Sequence, residues 1–347
     1  MKKTFLTIAL SALLASPAMA EELTVTHSTS SQFEAELNAA LTEAQLTADQ
    51  VTSLKIVSTG EPAAEMNITD FDALRAALAA TLQNLDLSEA ALKGNSVPSS
   101  DDKNTNPNCG ALRDMAELTE VVLPEGLTSI SSGAFQNCAK LQTINLPETI
   151  TDIWNYAFDG CAALNLTKLP SQITIISPYC FRGCTSLALT ELPAVTEVRE
   201  FGFNKCSALT LSKLPETLTL IKQSGFATTG VTFSEWPETL TSIGESAFSG
   251  SKVSFKEWTP NIAEMPKGVF GYCYNITEFT IPETITKLND VTFHIPTKFY
   301  YGEGNQGKNF QRKLICRLPE PPAATYGENA KWNNTFIEED WMLKNIY

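Results

Sequence analysis

The sequence predicts an α/β repeat solenoid, and three observations carry the prediction. Phenylalanines fall at positions 135, 158, 181, 203, 226, 248, 270 and 293, always 22 or 23 residues apart. Prolines at 124, 147, 170, 193, 215, 237, 260 and 282 keep the same step, so two independent rulers mark eight units. Ahead of the prolines run alternating segments such as LNLTKLP, LALTELP and LTLSKLP. Their leucines would face one way and their Thr, Ser and charged residues the other, as in a strand. A period of this length signals stacked units, none of which can bury its apolar side alone.

The elements follow in chain order. Residues 1–20, MKKTFLTIALSALLASPAMA, combine two lysines, an apolar stretch and Ala18-Met19-Ala20 as a small-x-small cleavage site. This is the pattern of a secretory signal peptide, which places the mature protein outside the cytoplasm, secreted or at the cell surface. No later apolar run reaches the roughly 18 residues of a membrane span, so membrane insertion is not expected. Residues 21–93 read as an N-terminal cap. Leu23–Thr26 and Ser53–Ser58 are strands, Gln32–Leu41 a helix, and Asp70–Leu82 a second helix that delivers the strand Leu85–Leu87. For the second helix Thr69 is the expected N-cap, with Asp72 three residues on completing a capping box. Residues 94–114, including GNSVPSSDDKNTNPNC, are polar and aperiodic, which predicts a loop at the seam between cap and array.

The eight repeats occupy residues 115–295, with the consensus L-P-E-T-L-T-x-I-x-x-x-A-F-x-x-C-x-x-L. The proline ends the strand because it lacks an amide hydrogen for the ladder. The TLTSI-like piece is a second extended segment, and A-F-x-x-C makes about one helical turn with Phe and Cys on one face. Stacking sets each Phe against its neighbours, and burying one contributes about 1.5–3 kcal/mol. Residues 296–347 form a C-terminal cap in which WNNTFIEEDWMLKNIY covers the open end of the stack.

The phrases WPETLTSIGESAFSG (Trp236 to Gly250) and CTSLALTELP (Cys184 to Pro193) resemble the bacterial surface leucine-rich repeats of the BspA-like, or Treponema pallidum, type. The resemblance covers roughly Met115 to Ile295. It implies a right-handed solenoid with a parallel β-sheet on the concave side, short helical turns opposite and a βαβ-like cap. It also implies adhesion or protein binding at cell surfaces, with no catalytic residues and no cofactor. Family members often continue into a surface-sorting segment, and none is read here.

Composition narrows the function classes. Without the two leader lysines, 23 basic stand against 39 acidic side chains, a net charge near −16 that disfavours nucleic acid. Histidine occurs only at 27 and 294, near opposite ends of the mature chain, so an imidazole-dependent nucleophile or zinc site has no partner set. Glu338, Glu339 and Asp340 read as a solvated helix face. Gly302 to Gly307 matches G-x-G-x-x-G by letters but leads into Pro319, Pro321 and Pro322 rather than a helix, so no dinucleotide site is expected. Cys180 and Cys184 have one-turn spacing, yet position 180 belongs to a column of small residues, Ala134, Ala157, Gly202, Gly225 and Ala247, where Cys serves as a small hydrophobe.

Cys138, Cys161, Cys184, Cys206 and Cys273 each follow a repeat Phe by three residues. Met115, Thr229, Ser251 and Pro296 hold that place in other units, so the column asks for no thiol, and free, buried cysteines that need no partner are expected. Two surface features remain. One is a polar face formed by Asn165, Ala188, Thr210, Thr232 and Ser254 beside Thr167, Thr190, Ser212, Ser234 and Lys256. Next to them Lys168, Glu191, Lys213 and Glu235 alternate in sign and are expected to pair along the stack. The other is an aromatic strip of Tyr156, Tyr179 and Phe201 with Trp154 nearby, whose stacked rings could grip a sugar. The leading functional expectation is a monomeric repeat protein binding a host extracellular-matrix or cell-surface protein through the polar face. The alternative is a glycan-binding module using the strip.

Overall fold

The computed structural model describes residues 21–100, 108–258 and 262–276, with three further strand segments up to residue 316. The expected leader, residues 101–107 of the polar loop, Phe293, His294, the stretch 302–307, the acids at 338–340 and nearly all of the C-terminal cap lie outside the described residues.

The cap comprises β1 (Glu21–His27), α1 (Phe33–Ala44), β2 (Val51–Ser58), β3 (Glu65–Met66), α2 (Ile68–Leu78), β4 (Asn84–Glu89), β5 (Ala91–Leu92) and β6 (Ser96–Val97). The array continues with β7 (Glu120–Val122), β8 (Ser129–Ile130), β9 (Thr143–Ile144), β10 (Asp152–Ile153), β11 (Ile175–Ile176), β12 (Glu197–Val198), β13 (Leu220–Ile221), β14 (Ser242–Ile243) and β15 (Glu264–Met265). After these come β16 (Glu278–Ile281), β17 (Lys287–Leu288) and β18 (Lys313–Cys316). All pairings between these strands are parallel, as stacked units require. One sheet, β1-β2-β4-β7-β9, runs from the cap straight into the first repeats, so cap and array share one core.

The second cap helix is entered differently from expectation. Its N-cap is Asn67, whose side chain accepts the Thr69 N–H at 2.9 Å. Asp70, not Asp72, closes the capping box by accepting the Asn67 N–H at 3.0 Å. Asp70 is buried and also accepts from Ser31 and Phe33 N–H, tying both helix starts together. Asp72 turns instead to Arg75, which reaches the Gly110 and Ala111 carbonyls.

In the array each unit has three segments. Among the described residues the segment before each proline forms a ladder at β7 and β9 and again at β16, ahead of Pro282; LNLTKLP, LALTELP and LTLSKLP, read as strands, form none. Single bonds cross this side, such as Asn165 N–H to Gln142 O, Ala188 N–H to Leu166 O and Thr232 N–H to Leu211 O. The regular ladder of the middle units is the second extended piece, β11-β12-β13-β14. There the recurrent Thr pins each step, Thr196, Thr219 and Thr241 hydroxyls donating to carbonyls one unit back at 3.1–3.2 Å.

The third segment is a run of turns around each Phe. N–H groups alternate in destination. Those of Ala157, Asp159 and Cys161 bond back within the unit to Trp154, Tyr156 and Phe158 carbonyls, while those of Tyr156, Phe158 and Gly160 bond forward to Pro178, Cys180 and Arg182 carbonyls. The same alternation recurs at Phe135, Phe181 and Phe203. It requires left-handed backbone two residues before and two residues after each Phe, seen at Tyr156 and Gly160 and again at Tyr179 and Gly183. Glycine at 160 and 183 takes that conformation without a Cβ penalty. The result is three inter-unit bonds per step on the turn side. Inside it the Phe rings stack at 5.3–6.1 Å between centroids from Phe135 to Phe270, all fully buried.

The β1–α1 corner of the cap depends on one carboxylate. Glu36 lies 2.7 Å from Nδ1 of the fully buried His27 and accepts from the Ser28 N–H and hydroxyl. Burial alone would raise its carboxyl, but the Ser28 and His27 bonds outweigh that and hold it below the usual range. Since the folded form keeps Glu36 ionised to lower pH than the unfolded chain does, its stabilisation is present above about pH 4.5 and is lost as pH falls further. Denaturant titrations at pH 7 and pH 3.5 should show a smaller acid-induced loss for Glu36→Gln than for the wild type. Equal losses would show that the corner does not titrate.

Candidate functional site

The candidate polar face is built by the segments before the prolines. Leu166, Leu189, Leu211 and Phe233 point inward and are buried. Between and beside them Asn165, Thr167, Lys168, Thr190, Glu191, Thr210, Ser212, Lys213, Thr232, Ser234 and Glu235 are all exposed. The alternating charges do not pair with one another as expected. Lys168 reaches back to Glu148, 3.3 Å away, and Glu191, Lys213 and Glu235 form no ion pair among the described residues. Glu148 is already held by the Ser171 N–H at 2.9 Å, which presents a fixed acceptor to Lys168. With no continuous ladder to set their spacing, these long side chains stay solvated, at little energetic cost.

Where this side passes from laddered to open, a groove of about 440 Å³ lies across the first three units. Asn145 stands in it, and its side-chain amide bonds both backbone groups of Leu123, N–H at 2.6 Å and C=O at 3.1 Å. One side chain thus replaces the ladder bonds lost as the segments diverge. The sequence reading passed over this residue; its signal is an Asn two residues before a proline, where later units carry Lys or Glu.

The aromatic strip forms, with a consequence the sequence did not reveal. Tyr156 and Tyr179 stack at 4.7 Å and 10°, Tyr179 and Phe201 at 4.8 Å and 14°. All three are half-buried, as is Trp154. The rings spend their inner faces on one another, so the strip offers mainly edges outward, whereas sugar stacking needs open faces. All three also sit in the left-handed region, φ 55–59°, an outlier for bulky side chains. Ring stacking, worth about 0.5–1.5 kcal/mol per pair, offsets that strain. Beneath the strip Asp159 is buried and holds Arg182 in a two-bond fork at 2.7 Å for each bond, with Gln136 at 3.2 Å. The Arg182 guanidinium lies 4.8 Å over the Tyr179 ring. Asp159 and Arg182 occupy the same place in adjacent units, one period apart.

The cysteine column has a partner after all. The thiols of Cys138, Cys161, Cys184, Cys206 and Cys273 donate to the carbonyls of Leu112, Phe135, Phe158, Phe181 and Phe248, each one unit back, at 2.9–3.1 Å. Thr229 in the same column turns to Phe226 O in its own unit. The seven described cysteines are buried and free, and burial pushes the Cys138 thiol up to about 12 and those of Cys161, Cys180 and Cys184 well above the usual range. Protonated thiols neither attack nor bind metal. No cluster of three or more metal-ligating side chains occurs among the described residues. No described helix is long and apolar enough to cross a membrane.

These features define a leucine-rich repeat protein. The BspA type leucine rich repeat region matches in six copies over residues 108–229 and 190–298, more than half of the chain, and the chain belongs to that family. Similar solved structures include a leucine-rich repeat protein from Bacteroides ovatus ATCC 8483, 23% identical over 48% of this chain and 38% of that one, TM-score 0.35. The T. pallidum leucine-rich repeat protein is 28% identical over 40% of this chain and 66% of its own, TM-score 0.37. A leucine-rich cell surface protein from Faecalibacterium prausnitzii A2-165 is 22% identical over 51% and 70%, TM-score 0.26. The chain therefore spans less than two thirds of the first two structures it matches. A comparison with curated proteins finds no match.

Thiol chemistry checks the cysteine column. In a Cys316→Ser variant, which leaves only the seven buried cysteines, an aromatic disulfide reagent at pH 8 should label none in the native state and all seven in denaturant. Rapid native labelling would place the thiols at an accessible surface.

Proposed function

We propose that the protein is exported and binds a protein partner, on a host or neighbouring cell or in its matrix, through the polar face, without catalysing a reaction. One observation carries this reading: eleven polar side chains in successive units are all exposed, while the apolar residues alternating with them are locked in a continuous core. A rigid, repetitive polar surface suits recognition of another protein more than it suits chemistry on a small molecule. Family membership supports the same reading, as does a neighbour described as a cell surface protein. Export rests on the leader-like residues 1–20.

The glycan alternative has weaker support, because the strip's rings are stacked on one another. A Thr190→Arg/Ser212→Arg variant obstructs the centre of the polar face, and a Tyr156→Ser/Tyr179→Ser/Phe201→Ser variant removes the strip. Both are compared with wild type on immobilised extracellular-matrix and cell-surface proteins and on a glycan array. The expected result is a loss of protein binding of at least about tenfold for the first variant and little change for the second. Sugar binding abolished only in the strip variant would reverse the assignment.

A further inference from the structure

We infer that the groove across the first three repeats is the docking point for an extended peptide segment bearing a lysine or arginine. This rests on the protein-binding reading and narrows its partner. The groove opens where the parallel ladder stops. Glu120 pairs with Thr143 and Val121 with Ile144, but no ladder joins residues 143–146 to 166–169, and the crossing bond at this step is Asn165 N–H to Gln142 O. Backbone groups of Ile144 and Thr167 beyond that bond have no backbone partner across the seam. An extended peptide laid along the seam can supply the missing bonds, the logic by which strands are added to incomplete sheets.

The walls set the chemistry of its side chains. Half-buried Val122 and Leu146, with buried Leu169, offer an apolar floor for alternate residues. Of the charges lining the groove, Lys168 is neutralised by Glu148 at 3.3 Å. Glu120 is exposed and has no cationic partner among the described residues, so the groove carries one uncompensated negative charge. The net charge of the chain, −14, reinforces the preference for a cation. A helix would present no free backbone bonds to the seam, and an acidic segment would meet Glu120 directly.

The probe is a capped, fluorescein-labelled hexapeptide alternating valine with lysine. It is compared with the same peptide carrying glutamate for lysine and with one N-methylated at alternate amides, all titrated with the mature protein by fluorescence anisotropy. The lysine peptide should bind, the other two at least about tenfold more weakly. Glu120→Lys should weaken it by a similar factor, and Glu245→Lys, the same charge change at an exposed acid of the turn segment outside both the groove and the polar face, by less than about twofold. No binding of the lysine peptide, equal binding of all three, or equal loss in the two charge variants would each overturn the inference. If protein capture is lost in the Thr190→Arg/Ser212→Arg variant while the peptide never binds, the groove assignment fails and the polar-face reading stands. If that variant captures as wild type does, the polar-face reading fails.

Discussion

The rest of the structure depends on how the turn side distributes its backbone N–H groups. A buried amide must find an acceptor, and a chain folding around a Phe at every step has too few within one unit. Here alternate amides look inward to their own turn and outward to the next unit, which needs left-handed backbone two residues either side of the Phe. That one requirement accounts for the F-x-G-C phrase at Gly160 and Gly183 and for the constant period. It also accounts for Phe rings lying in register at 5.3–6.1 Å.

Because the turns hold the stack, the opposite side is freed from doing so. The segments before the prolines keep a ladder next to the cap, where β4 and β7 impose it, loosen to isolated bonds in the middle units, and pair again at β16 with β18. A side that need not close its own hydrogen bonds can vary its residues, and the polar face and the groove both lie there. The thiol column belongs to the stabilising machinery as well. Each Cys of the column gives its hydrogen to a Phe-column carbonyl one unit back.

Much of this architecture was legible in the residues. The Phe and Pro spacings, the cap helices and the small-residue column at 134, 157, 180, 202, 225 and 247 follow from periodicity, because periodic burial is a one-dimensional signal. At Gly202 an added Cβ would meet Ile176 Cγ2 at 2.9 Å, so that unit carries Gly where others carry Ala or Cys. Strand assignment in LALTELP failed because alternation reports which side chains are buried, not whether neighbouring backbones come close enough to pair. The charge ladder failed for the same reason, Lys168 finding Glu148 rather than Glu191. Asn145 and the Asp159–Arg182 fork stayed hidden because each acts across a unit boundary, where a single sequence shows only an Asn and a Leu 22 positions apart, or an Asp and an Arg 23 apart. The cysteine partners are backbone carbonyls, which no side-chain pattern records.

The structure divides its labour between a turn side that is spent on stability and a face that is left free, the face we propose for recognition. Residue-resolved hydrogen exchange of the native protein tests that division most directly. The amides of Phe158, Phe181 and Phe203, each donating to the next unit, should exchange slowest and together, while those of Thr167, Thr190 and Ser212 exchange fast. Slow exchange on the face with fast exchange at the phenylalanines would contradict the account, since the ladder that holds the stack would then lie on the wrong side.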